Sequence, residues 1–153
     1  EKGLSLVELL VTIAMVSVMG ALAIPRLNQS TLNLSTATQT LVGSIRMARA
    51  DAVSRGTRYR VVLGTNSYTV QRLQLNGDGE WVPASTTEAV ELPPGISLSV
   101  VDGDGVIEFN TRGLIVPPPD EEVAEIEQVS VHDSHDGDTK HLAVWPSGQV
   151  LEG

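Results

Sequence analysis

The spacing of apolar residues changes twice along this chain of 153 residues. From Leu4 to Ile24 almost every residue is apolar or small, and a helix over that stretch would be about 31 Å long. A helix of this length spans the hydrocarbon core of a bilayer. Glu8 lies near the start of the run. Because a carboxylate within a membrane segment is costly, it usually marks function.

Beyond Pro25, which cannot donate a helical hydrogen bond and so predicts a kink, the apolar residues recur on one face. Six residues follow the helical spacing and form this stripe: Leu34, Thr38, Leu41, Ile45, Ala48 and Ala52. Gly56, directly after Arg55, is typical of a helix end. The pattern predicts one helix from about Leu4 to Arg55, whose second half packs on a sheet.

After Gly56 the period becomes two, which is typical of β-strands. The alternating segments predict seven or eight short strands, at 57–63, 67–75, 80–84, 96–101, 105–110, 126–132, 140–145 and 149–153. The turn "DGDG" joins the fourth and fifth of them, Pro83 is expected to end the edge strand at 80–84, and the prolines of 117–122 predict a loop. No second long helix is expected.

Charge and composition exclude or disfavour several classes of function. The net charge is −9 and the isoelectric point is near 4.6, a balance that disfavours nonspecific binding to nucleic acid. Residues 114–139 hold eight acids and no Lys or Arg, whereas 46–72 hold six of the ten basic residues. Cysteine is absent, which excludes disulfides, thiolate metal sites and a cysteine nucleophile.

Two clusters invite a metal. His132, His135 and His141 would have to converge to bind zinc, but they fall at the ends and tip of a predicted hairpin. Asp133, Asp136 and Asp138 are candidates for weak calcium binding, although Asp-Gly pairs more often form turns. There is no G-x-S-x-G nucleophile elbow, and Ser147 falls in a turn. We therefore expect no catalytic residue, no metal and no cofactor.

The amino-terminal segment carries a further pattern. Lys2 and Gly3 precede the apolar Leu4, and Glu8 and Pro25 are the fifth and twenty-second residues counted from Leu4. A cleaved secretory signal, with a cleavage site in 21–23, is the alternative, but Glu8 and the helical pattern that follows are unlike one. The segment resembles the processing site of type IV prepilins and type II secretion pseudopilins.

This resemblance implies that prepilin peptidase cuts between Gly3 and Leu4 and N-methylates the new amine of Leu4. Glu8 would then serve assembly, with its carboxylate beside the Leu4 amine of a neighbouring subunit. Charge pairing of this kind is strong where the dielectric constant is low. A plain membrane anchor with a stray polar residue is the other interpretation.

Motifs later in the chain indicate which branch of this family the sequence resembles. Residues 41–63 resemble the helix-to-first-strand segment of the H-type minor pseudopilins and their FimT-like relatives. Phe109, Asn110 and Gly113 resemble the Phe-Asn-x-x-Gly turn of that family, and Gly148 lies at the turn of its closing hairpin. The acidic proline loop at 117–122 matches no part of the family pattern.

The resemblance implies a pilin-like lollipop of the α+β class: a long N-terminal helix, kinked at Pro25, with a C-terminal antiparallel β-sheet domain. Its expected divisions are a leader remnant (1–3), a transmembrane and filament-core half-helix (4–27), an amphipathic half-helix packed on the sheet (28–55) and a periplasmic or extracellular β domain (56–153).

The implied function is that of a minor pilin or pseudopilin rather than an enzyme. It would be held in the bacterial inner membrane by one span and then assembled into a type IV pilus or a type II secretion pseudopilus, at the tip or in the priming complex. The expected partners are other minor pilins or pseudopilins, the major pilin, prepilin peptidase and the inner-membrane assembly platform. The sequence does not separate the two machines.

A membrane-anchored module that binds a ligand or DNA without polymerising is the alternative. DNA binding would need the arginines of 46–72 to form an exposed basic patch: Arg46, Arg49, Arg55, Arg58, Arg60 and Arg72. We expect them instead to pair with neighbouring acidic residues along the filament, so nucleic acid is not an expected partner.

Overall fold

The computed structural model describes residues 6–23, 29–117 and 127–153. These ranges contain two helices, α1 (Leu6–Ala23) and α2 (Gln29–Arg55), and nine strands: β1 (Tyr59–Leu63), β2 (Ser67–Leu75), β3 (Trp81–Thr86), β4 (Val90–Glu91), β5 (Ile96–Asp102), β6 (Val106–Phe109), β7 (Glu127–Asp133), β8 (Thr139–Val144) and β9 (Val150–Glu152). The chain divides into two compact units, Glu1–Leu32 and Asn33–Gly153. The predicted α+β class, with helix first and antiparallel strands after, is confirmed. Pro25 and its predicted kink lie outside the described residues.

The second unit contains two antiparallel sheets. In the first sheet the strand order is β3-β2-β1-β6, with β4 beside one end of β2; in the second sheet it is β5-β7-β8-β9. The predicted hairpin of β1 and β2 is confirmed, with Val61 opposite Val70. The predicted pair of β7 and β8 is also confirmed, with Val129 opposite Leu142.

The turn at "DGDG" lies between β5 and β6 as predicted, but the two strands that it joins do not pair with each other. β5 pairs with β7 in the second sheet, whereas β6 pairs with β1 in the first, so this turn carries the chain from one sheet to the other. Ile107 and Phe109 of β6 are fully buried. Alternation sets which face of a strand is apolar but leaves its partner open, and the core of the first sheet takes β6.

Pro83 does not end its strand. β3 runs on to Thr86, and the register shifts between Arg72 and Leu73 of β2 at the level of Pro83. Because β3 is the edge strand of its sheet, a missing N–H donor is tolerated there. β4 was not predicted, since two exposed residues give no periodic pattern.

One hydrophobic core joins α2 to both sheets. All six residues of the predicted stripe are buried, and Leu41, Ile45 and Ala52 have no exposed surface. Opposite them lie buried residues of the two sheets, which include Val61, Tyr68, Ile107, Phe109, Leu98, Val129, Val131, Leu142 and Val144. Each fully buried aliphatic side chain contributes about 1.5–3 kcal/mol, so this stripe holds the second unit together.

Candidate functional site

The family turn motifs meet at one arginine. Arg49 of α2 donates from Nε to the carbonyl oxygen of Gly113 at 3.0 Å. Gly113 closes the turn after β6, and Gly148 lies in the turn between β8 and β9. A backbone bond from Ile115 N to Pro146 O, at 3.0 Å, joins these two turns. We call this group, Arg49 with the turns of Gly113 and Gly148, the arginine junction.

Both turns of the arginine junction require glycine. Gly113 and Gly148 have φ values of 75° and 76°, in the left-handed region that side chains disfavour. A Cβ on Gly148 would lie 2.6 Å from Gly113 O and 2.7 Å from Arg49 Nε. A Cβ on Gly113 would lie 2.9 Å from Cγ2 of Val53. The glycines therefore allow the two sheets and the helix to approach closely.

Asn110 organises the first of these turns. Its side-chain Oδ1 accepts from the backbone N–H of Arg112 at 2.8 Å and of Leu114 at 3.1 Å, which is an Asx-type turn. Its own backbone N–H donates to Leu114 O at 2.9 Å. The preceding Phe109 is fully buried in the core. Phe109 and Asn110 thus fix the position of Gly113 under Arg49.

A second polar cluster lies on the other face of the first sheet. Glu108 accepts from Arg58 Nη1 at 3.0 Å and from Arg60 Nη2 at 2.8 Å, and its side chain is 13% exposed. The Arg58 guanidinium lies 4.7 Å from the centroid of the Trp81 ring, within cation–π range. Arg60 and Glu108 are opposite in the register of β1 and β6, so this cluster ties those strands together.

The three histidines do not converge. His141 Nδ1 lies 2.9 Å from Ser130 Oγ, and His132 Nδ1 lies 3.0 Å from Thr139 Oγ1. His135 contacts Asp133 instead, with Nδ1 3.3 Å from Oδ1. Within residues 6–23, 29–117 and 127–153, no group of three metal-ligating side chains is arranged to hold an ion. The zinc alternative has no supporting geometry.

The aspartates between β7 and β8 contribute hydrogen bonds to a tight turn. Asp133 is buried and accepts the backbone N–H of His135 on Oδ1 at 2.8 Å. Its own backbone N–H donates to Asp138 O, and its carbonyl accepts from Gly137 N. This is the hydrogen bonding of a tight turn, as Asp-Gly pairs suggest. The described residues do not bring Asp133, Asp136 and Asp138 together as metal ligands.

Four of the six arginines in 46–72 have partners within the chain. Arg49 bonds to Gly113 O, Arg58 and Arg60 share Glu108, and Arg55 lies 3.6 Å from Asp51. Arg55, Arg58 and Arg60 thus pair with acidic residues of the same chain, and pairing along a filament stays a prediction. Arg46 and Arg72 are exposed and have no ion pair with any residue that the structure describes.

Helix α1 is apolar on all sides. Residues 9–17 are all exposed, among them Leu9, Ile13 and Met15 at 51%, 55% and 63%. Nine consecutive helical residues cover every direction around the axis. The hydroxyls of Thr12 and Ser17 donate to the carbonyls of Leu9 and Ile13 at 2.9 and 2.8 Å.

Helix α1 is also of interest for its length and for the position of Glu8. The described residues include no helix that combines the length and apolarity needed to cross a membrane. Glu8 belongs to the first turns of α1.

A comparison with protein families decides the identity. Residues 37–148 match the family model of the type II transport protein GspH, which is most of the chain. The chain belongs to the GspH family. The match begins within α2 and ends at Gly148, so it includes Arg49, Gly113 and Gly148.

Solved structures of pilin-like proteins share the fold of this GspH-family chain. The minor pseudopilin EpsH of the type 2 secretion system of Vibrio cholerae superposes with a TM-score of 0.57 and 13% identity, over 79% of this chain and 96% of that one. The type IV minor pilin FimU of Pseudomonas aeruginosa gives 0.59 and 14%, over 78% and 87%. No curated protein sequence matches the chain. The resemblance to H-type minor pseudopilins and FimT-like pilins is thereby confirmed.

Only some of the predicted site residues of this GspH-family chain lie among the residues that the structure describes. The structure brings Phe109, Asn110, Gly113 and Gly148 together. Gly3, Leu4 and Pro25 lie outside the described residues, so cleavage, methylation and the kink stay predictions.

Sequence reasoning missed the part that Arg49 plays. It is half-buried at the edge of the α2 stripe, four residues after Ile45 and three before Ala52. Its small neighbours, Ala48 and Ala50, leave room for other backbones to approach. An arginine at a stripe edge between two alanines was the available signal.

Proposed function

We propose that this protein is a minor pilin or pseudopilin subunit that assembles through α1 into a type IV pilus or a type II secretion pseudopilus. The observation that carries the proposal is the apolar surface of α1, which is exposed on every side. A helix that is apolar all round belongs in lipid or in the core of an assembly. The hydroxyl donations of Thr12 and Ser17 to their own helix suit both surroundings.

The proposed sequence of events begins in the inner membrane, with α1 in the bilayer and the β domain in the periplasm. Prepilin peptidase cuts between Gly3 and Leu4 and methylates the Leu4 amine. The amine of one subunit then meets the Glu8 carboxylate of its neighbour, which sets the register of the bundle while the apolar side chains pack. The protein acts at the tip or in the priming complex, beside other minor subunits and the major pilin, and carries out no catalysis.

Assembly is tested at Glu8. We expect Glu8→Ala and the isosteric Glu8→Gln to accumulate in the membrane but to be lost from sheared filaments, because both remove the charge. Ser17→Ala is the matched control on the same helix and should assemble normally. Mass spectrometry of the wild type should find an amino terminus at Leu4 that is one methyl group heavier. Normal assembly of both Glu8 variants would refute the pairing of Glu8 with the Leu4 amine, whereas absence of the wild-type chain from sheared filaments would favour a membrane-anchored binding module.

Deletion of the gene in its host separates the two machines. Loss of surface pili and twitching with normal enzyme secretion would indicate a type IV minor pilin. Loss of secretion with intact pili would indicate the H-type pseudopilin of a secretion system. If neither changed in a strain without redundant subunits, the assembly proposal would be wrong.

A further inference from the structure

A groove of about 310 Å³ lies between α2 and the first sheet, apart from the arginine junction. Its floor is apolar: Ala48 and Tyr59 are buried, and Val70 is half-buried. Met47 and Val90, 67% and 37% exposed, line its open side. The volume is at the lower end for ligand pockets, which suits a short peptide segment better than a folded domain.

Arg72 makes this groove unusual. It is directly opposite Tyr59 in the register of β1 and β2, so its side chain leaves the sheet on the same face as that buried ring. Its side chain is exposed, so the guanidinium is accessible to an incoming group. Arg72 has no ion pair with a described residue, and Asp51, the acid in the lining, is already 3.6 Å from Arg55. The lining therefore carries one excess positive charge in a chain whose net charge is −9.

Two of the lining hydroxyls already have hydrogen-bond partners. Ser44 Oγ lies 2.9 Å from Tyr68 Oη, and Thr87 Oγ1 accepts from Val70 N at 3.0 Å. What the groove offers an incoming group is thus the Arg72 guanidinium beside an apolar floor. This combination complements a carboxylate that lies next to an aliphatic side chain.

We infer that this groove receives an acidic, partly apolar peptide segment of a neighbouring subunit, with a carboxylate on Arg72 and an aliphatic side chain on Tyr59 and Val70. The inference rests on the proposed assembly, which brings subunits side by side. This chain itself holds a segment of this chemistry: residues 117–127, PPPDEEVAEIE, combine acids with Val, Ala and Ile.

Binding is tested with that peptide, labelled with fluorescein, against the full chain in detergent micelles by fluorescence anisotropy. We expect saturable binding that Arg72→Glu weakens at least fivefold, since an exposed charge pair contributes up to about that factor and reversal adds repulsion. Arg112→Glu is the matched control, an exposed arginine outside the groove, and should change the dissociation constant less than twofold. A peptide in which Asn or Gln replaces every acid should bind the wild-type chain as weakly as the original peptide binds Arg72→Glu.

Several results would overturn the inference. They are no saturable binding, equal losses in Arg72→Glu and Arg112→Glu, or displacement by inorganic phosphate at the peptide's own concentration, which would indicate a general anion site. Binding that appears only after the acids of the chain's own 118–126 are neutralised would mean that the chain fills its own groove. Because this assay requires no filament, a failure of Glu8-dependent assembly in cells would leave its result intact, and the reverse also holds.

Discussion

Gly148→Ala is the sharpest test of the arginine junction. The added methyl would lie 2.6 Å from Gly113 O and 2.7 Å from Arg49 Nε, closer than packed atoms tolerate. Overpacking of this kind typically costs about 1–3 kcal/mol. The residue would also keep a φ of 76°, and the left-handed region costs a residue with a Cβ about 1–2 kcal/mol. We expect Gly148→Ala to lower the free energy of unfolding by about 3 kcal/mol.

Gly137→Ala is the matched control. Its φ is 77°, almost the same as at Gly148, but a Cβ there would meet nothing within 4 Å. We expect this variant to lose only the conformational part, about 1 kcal/mol. The difference of about 2 kcal/mol between the two variants measures the close approach of the turns and corresponds to roughly 4–8 °C in melting temperature.

The assay is urea unfolding of the full chain in detergent, followed by tryptophan fluorescence, because Trp81 and Trp145 both lie in the second unit. A double-mutant cycle of Gly148→Ala with Arg49→Ala then tests whether the added methyl group clashes with the Arg49 side chain. If the Arg49 side chain is part of the clash, the two losses will be less than additive. Equal destabilisation by Gly148→Ala and Gly137→Ala would show that the two turns and Arg49 are not in close contact.

Two further stability predictions use the same assay. Ile45→Ala should cost about 2–4 kcal/mol, since Ile45 is fully buried between α2 and the sheets, whereas Met47→Ala, at a 67% exposed position on the same helix, should change little. Equal effects of these two would contradict the assigned core. Glu108→Gln should cost about 1–2 kcal/mol, because it leaves two half-buried arginines without their shared carboxylate. Glu152→Gln, which loses an exposed pair with Lys140, should cost under about 1 kcal/mol, and a larger loss there would argue against this ranking.

Local periodicity predicted the elements of this fold well. The α2 stripe was predicted residue by residue, since a 27-residue helix with one apolar face leaves little freedom in what it buries. The β1–β2 and β7–β8 pairs followed from alternating segments separated by short turns. For these two strand pairs the signal and the contact lie close together in the sequence.

The division into two sheets could not be predicted in that way. β5 and β6 are neighbours in sequence, separated by a turn of the kind that closes hairpins, yet they belong to different sheets. What decides this is burial of Ile107 and Phe109 beside β1, about 50 residues earlier in the chain. Arg58 and Arg60 likewise meet Glu108 only because β6 lies beside β1, so this pairing depends on contacts distant in sequence.

The arrangement around α2 separates stability from association. The apolar stripe of α2 is buried in the core, and Arg49 at its edge donates a hydrogen bond to Gly113 O. The exposed side chains of the same helix include Arg46 and Met47, neither of which is buried in that core. Substitutions on that outer side can therefore change contacts with another subunit while the second unit stays folded. A loss of assembly in such a variant, with unfolding unchanged, reports on the filament interface itself.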